Sequence, residues 1–104
     1  MTNIFENTEE AGEEGLFDLL QKGDHYRIER VVSVGHSSPE GLYYDQENDQ
    51  WIMLVQGTAT LELEGKLVDL KAGDYLFLPK NSKHRIEKTS IEPACIWLCV
   101  FIID

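Results

Sequence analysis

From His25 onward the chain alternates apolar and polar positions with a period of two, the spacing of strands that bury one face. His25 to Val34 sets Tyr26, Ile28, Arg30, Val32 and Val34 against His25, Arg27, Glu29, Val31 and Ser33. Gly35 and then Ser37-Ser38-Pro39 end that run, as glycine and proline do where a chain turns. Trp51 to Gln56 reads as the next strand and stops at Gly57. Thr58 to Glu64 alternates most cleanly, which predicts Ala59, Leu61 and Leu63 inside and Thr58, Thr60, Glu62 and Glu64 outside. Gly65 leads into Leu67 to Leu70, and Ala72-Gly73-Asp74 turns the chain again. Tyr75 to Leu78 is a short apolar strand ended by Pro79, which has no N–H to give a ladder. Lys83 to Thr89 and Ala94 to Ile103 complete the set.

Ahead of these strands the spacing changes. Leu16, Phe17, Leu19 and Leu20 fall at helical intervals, Glu13 and Glu14 suit a helix N-terminus, and Lys22-Gly23 suits its stop. This predicts a short amphipathic helix over Glu13 to Gln21. The remainder, many short strands joined by Gly-containing turns without a repeat or linker, predicts one all-β antiparallel sandwich or barrel. The expected organisation is therefore an acidic arm with a short helix over residues 1–24, followed by a barrel over 25–104. A chain of 104 residues buries roughly 65% of its unfolded surface, enough for one core. A second catalytic domain and a doubly wound nucleotide fold are both excluded.

Charge narrows the partners. Nine Lys and Arg oppose 19 Asp and Glu, a formal net charge of −10. Nucleic acid and anionic membrane surfaces, which are bound through clustered cations, are disfavoured. The chain opens on polar and acidic residues without a leader pattern, and no apolar run approaches the ~20 residues of a membrane span. Cys95 and Cys99 lack the second pair of a structural zinc site, so reduced thiols and a cytoplasmic location are expected. In an apolar strand they read as small hydrophobes. The run from Ile91 to Ile103 is too apolar to alternate, which implies cover on both faces.

Candidate chemistry centres on Gly73-Asp74-Tyr75-Leu76-Phe77-Leu78-Pro79-Lys80-Asn81-Ser82-Lys83-His84. Gly73 permits a positive φ and Asp74 can hydrogen-bond the turn's backbone. After Pro79 the chain reverses through Asn81-Ser82, and period two puts His84 on the face of Ile86, aimed into the barrel. Arg85 and Glu87 point the other way. Gly73, Pro79 and His84 resemble the second sequence motif of the cupin superfamily: glycine, five residues, Pro-x-Gly, two residues, histidine. Asn81 replaces the motif's second glycine and is among the residues that best tolerate the left-handed region. The stretch ending Gln50 to Gly57 resembles the first motif, and Tyr43-Tyr44-Asp45-Gln46 and Ile96-Trp97-Leu98 look like those of small single-domain bacterial cupins.

The resemblance implies an antiparallel jelly-roll β-barrel, a homodimer formed through its sheets, and a small-molecule ligand inside the barrel. It also implies where a metal would sit. Cupin enzymes typically hold a divalent ion with His-x-His, a glutamate and the second-motif histidine. Here His84 keeps the last position, Gln50 stands at the glutamate position, and Asp45 is the nearest carboxylate to the missing histidine pair. A divalent ion such as Mn, Fe, Ni or Zn would thus have His84, Gln50 and Asp45, a poorer set than usual. His36 is a further candidate ligand. Tyr43, Tyr44, Gln46 and Arg85 are candidate ligand-binding residues, with either Tyr43 and Asp45 or Tyr44 and Gln46 facing inward. His84 is the candidate catalytic base, because imidazole titrates near neutrality. Lys80, Lys83, Arg85 and Lys88 make a local cationic rim suited to an anionic ligand. Two functions follow: a metal-dependent enzyme, or a metal-free binding or sensor module without turnover.

Overall fold

The computed structural model describes residues 3–10, 15–38 and 47–103. Eight strands form two antiparallel sheets: β1 (Leu16–Lys22), β2 (Tyr26–Ser33), β3 (Asp49–Gln56), β4 (Thr58–Leu63), β5 (Lys66–Lys71), β6 (Tyr75–Leu78), β7 (His84–Thr89) and β8 (Cys95–Ile102). One sheet has the order β1-β2-β8-β3-β6 and the other β5-β4-β7, the double-sheet roll of a jelly-roll barrel. The core lies between the sheets, where Ile52, Leu54, Leu78, Trp97 and Cys99 of the larger face Ala59, Leu61 and Leu70 of the smaller. On β4 Ala59 and Leu61 are buried as the alternation predicts, whereas Thr60, expected outside, is buried as well, its hydroxyl donating to Asp69 at 2.8 Å.

The helix expected over Glu13 to Gln21 is a correction: from Leu16 the segment is strand β1, and residues 11–14 lie outside those described. The only helical turn among the described residues is a single 3-10 turn, Thr8–Glu10. The register of β1 on β2 slips between Leu19 and Gln21. A slip of one residue reproduces in a strand the stripe that otherwise signals a helix. Sheet pairing decides the outcome, since an isolated helix this short is marginal in water while the edge of β2 offers a full ladder.

Arg30 fixes the outer side of this region. It is 1% exposed; its Nε donates to Asp18 Oδ2 of β1 at 2.8 Å, and its Nη1 donates to the carbonyls of Ile4, at 3.0 Å, and Glu6. A buried guanidinium needs such a full set of acceptors. The N-terminal segment is thereby tied to β2, where Val32 and its neighbour Ile96 have no exposed surface. Among the described residues nothing is seated on the rest of the outer face. There Trp51, Met53, Leu98 and Val100 form an uncharged strip next to Tyr75 and Phe77, which are 66% and 50% exposed.

Candidate ligand site at one end of the barrel

The turn between β6 and β7 sets the position of His84. Ser82 donates to the Pro79 carbonyl through both N–H (3.1 Å) and hydroxyl (2.6 Å), and Asn81 takes the left-handed φ of 64° that its motif position requires. Lys80 N–H donates to Asp49 at 2.9 Å and Lys83 N–H to Glu64 at 2.9 Å. The turn is thus anchored both to the start of β3, beside Gln50, and to the end of β4. His84 opens β7 opposite Leu63, as Ile86 lies opposite Leu61, so the imidazole faces the interior and is 8% exposed. Burial holds its pKa below the ordinary 6.5, and a contact of Nδ1 with the Ser82 carbonyl (3.4 Å) opposes that only in part. The ring is therefore neutral at pH 7 and offers one N–H donor and one acceptor nitrogen.

On the larger sheet a row crosses four strands at the same end: Arg27, Phe101, Gln50 and Leu78. The next row inward is Glu29, Cys99, Ile52 and Leu76. Gln50 is buried and hydrogen-bonds the Cys99 thiol. Burial pushes that thiol up to about 12; the Gln50 bond opposes the rise and the nearby Glu29 carboxylate adds to it. Cys99 therefore stays a thiol. Arg27 Nε lies 2.5 Å from Glu29 Oε2, an ion pair without an aligned hydrogen bond at Nε. The Arg27 guanidinium carbon sits 4.2 Å from the centre of the Phe101 ring. Deeper in the barrel, the buried Trp97 Nε1–H finds no acceptor among the described residues.

His84 and Gln50 thus both face the interior. Arg85 takes the opposite side of β7: it pairs with Glu87, lies 3.9 Å from Glu62, and donates to the Ser38 carbonyl at 2.8 Å. These contacts hold it in the wall. Lys80 and Lys83 belong to the turn, whereas Lys88 lines a shallow outer groove with Thr58, Thr60, Asp69 and Lys71, away from the interior. His36 accepts from Val34 N–H through Nδ1 at 2.6 Å. Tyr43, Tyr44, Asp45 and Gln46 lie outside the described residues.

Two interior residues were not singled out from the sequence, Arg27 and Glu29. The alternation of β2 places Arg27, Glu29 and Val31 on one face, but the other face carries Tyr26, Ile28 and Val32 and reads as the better core. The signal was available elsewhere: Ala94 to Ile103 is apolar on both faces, so its neighbour β2 has no cleanly solvated side.

Among the described residues no group of three His, Cys, Asp or Glu could hold a metal ion. Among the described residues the interior supplies one imidazole, one amide oxygen, a thiol held protonated and a single carboxylate, Glu29, already paired with Arg27. Divalent transition metals favour deprotonated thiolate, imidazole and carboxylate, so the described donors do not fit such an ion.

The two antiparallel sheets thus bring an imidazole, an amide and a guanidinium to their inner faces at one end of the roll. The chain belongs to the cupin family: the Cupin domain matches residues 28–101. A crystal structure from Ralstonia eutropha JMP134, provisionally named a mannose-6-phosphate isomerase, is 31% identical with a TM-score of 0.93, over 100% of this chain and 98% of that one. The mannose-1-phosphate guanylyltransferase of Salmonella montevideo is 28% identical over 70% of this chain. The RCS-specific HTH-type transcriptional activator RclR of Escherichia coli K12 is 40% identical over 45% of it. The chain spans only 15% and 17% of the length of these two curated relatives. No helix among the described residues is long and apolar enough to cross a membrane.

Proposed function

We propose that this cupin binds a small polar or anionic molecule inside the Gln50 end of its barrel, as a binding or sensor module in the cytoplasm. The observation that carries the reading is the neutral, buried imidazole of His84 facing the interior that Gln50 also faces. Such groups orient a polar ligand by hydrogen bonds in an otherwise apolar enclosure. The named relatives support phosphorylated sugars as first candidates, and the match to a transcriptional activator supports sensing. Titration of mannose 6-phosphate, followed through the His84 ring signals by NMR, tests this. Those signals move on saturation, and affinity falls by about tenfold or more in His84→Ala, as expected when a buried polar partner is lost. Unmoved His84 signals across a panel of sugars and sugar phosphates would overturn it.

Stoichiometric metal in the purified protein, lost in His84→Ala and measured by elemental analysis, would favour instead a divalent-metal enzyme, which the described donors do not fit. The proposal also includes a second copy of the chain on the outer face of the larger sheet. The strip of Trp51, Met53, Leu98, Val100, Tyr75 and Phe77 carries no charge, so two chains of net charge −10 can meet there without bringing carboxylates together.

A further inference from the structure

We infer that Arg27 is the anion-recognising group of this interior site, presenting its two Nη groups to a carboxylate or phosphate of the ligand. The inference rests on the proposed binding function and names its ligand class. Arg27 projects from the inner face of β2 in one row with Phe101 and buried Gln50. Two contacts hold the guanidinium: its central carbon lies over the Phe101 ring, and Glu29 sits at Nε. Neither contact uses the Nη edge. Its side chain is 35% exposed, so the group is held at the mouth of the interior, not sealed in the wall as Arg85 is.

A guanidinium that is oriented but leaves one edge open is preorganised for two parallel N–H···O bonds, the geometry that planar carboxylates and phosphate oxygens accept. Contact with an aromatic ring reduces the rotamer freedom lost on binding. The chain's acidity sharpens the assignment. In a molecule of net charge −10 an anion is repelled over most of the surface, so its recognition needs directed N–H donors; Glu29 meets part of the Arg27 charge at Nε and leaves the Nη donors to the ligand.

Calorimetric titration of the full chain with mannose 6-phosphate, glucuronate and neutral mannose, repeated on Arg27→Met and Arg27→Lys, tests the inference. The wild type prefers at least one of the two anions over mannose. Arg27→Met lowers that anion's affinity by about tenfold or more and leaves mannose unchanged. Arg27→Lys, which keeps the charge over the ring but loses the fork, falls between them and guards against a folding defect in the first variant. The preferred anion identifies phosphate or carboxylate as the natural group. Equal affinity for the anions in wild type and both variants, or no preference over mannose, overturns the role of Arg27. If mannose still moves the His84 ring signals, only the anion assignment falls; if no ligand moves them, the interior site falls with it.

Discussion

His84 links protonation to folding. The folded state holds its pKa below 6.5, chiefly because burial penalises the charged ring. Just below pH 6.5 the unfolded chain therefore binds a proton that the folded chain refuses. Stability then rises with pH through that window. The contribution is complete above about 6.5 and is lost as pH falls toward the folded pKa. Thermal unfolding of wild type and His84→Gln between pH 7.5 and 5.5 measures it, in about half-unit steps. The wild-type midpoint drops more steeply than that of the variant; parallel curves would show that burial of the ring carries no proton linkage. The inward imidazole was legible from parity alone, because His84 and Ile86 share a face. Arg27 was not, because which side of β2 faces the core depends on β8 and on the N-terminal segment packed through Arg30, both remote in sequence.

At the level of elements, the strands from β2 to β8 lie within a residue or two of the bounds their alternation sets, whereas β1 was unreadable. Its four apolar residues satisfy a helix and a bulged strand equally, and only the vacant edge of β2 chooses between them. Turns were legible where one residue type answers one backbone demand: Gly73 has φ 96°, and Asp74 accepts from Lys71 N–H at 2.9 Å. What crowds a turn was not legible. Gly57 has nearly the same φ, 94°, yet a Cβ there would stand 2.7 Å from Ser90 Oγ, 2.9 Å from Cys95 Sγ and 3.1 Å from the Ala94 carbonyl. A Cβ on Gly73 meets nothing within 4 Å. Gly73→Ala accordingly costs only the left-handed conformation, about 1–2 kcal/mol. Gly57→Ala adds the displacement of β8's first residue and its flanking turn, about 1–3 kcal/mol more. Urea unfolding of the two variants measures the difference. Equal losses would mean that the chain around Ser90 and Cys95 yields freely.

The whole molecule places its two apolar surfaces back to back across the larger sheet. One faces the core. The other is sealed on the β2 side by the N-terminal segment and bare on the β3–β6 side, where exposed Tyr75 and Phe77 flank half-buried Trp51 and Met53. This explains why Ala94 to Ile103 does not alternate: β8 lies mid-sheet and needs apolar residues on both sides. An exposed aromatic strip on a small domain marks an association surface, and the proposed dimer would use the same patch on both copies. Light scattering therefore gives the wild type a mass twice the 11.9 kDa of one chain. In the proposed dimer Phe77→Glu would set carboxylates against each other across the interface, without entering the core, and give the single-chain mass. A monomeric wild type, or a variant that stays dimeric, would place the contact elsewhere or remove it. Concentration dependence supplies a separate check, because a state stabilised by association melts higher as protein is added. The wild-type midpoint rises with concentration and that of Phe77→Glu does not, which separates loss of the partner from a fold damaged by the new charge.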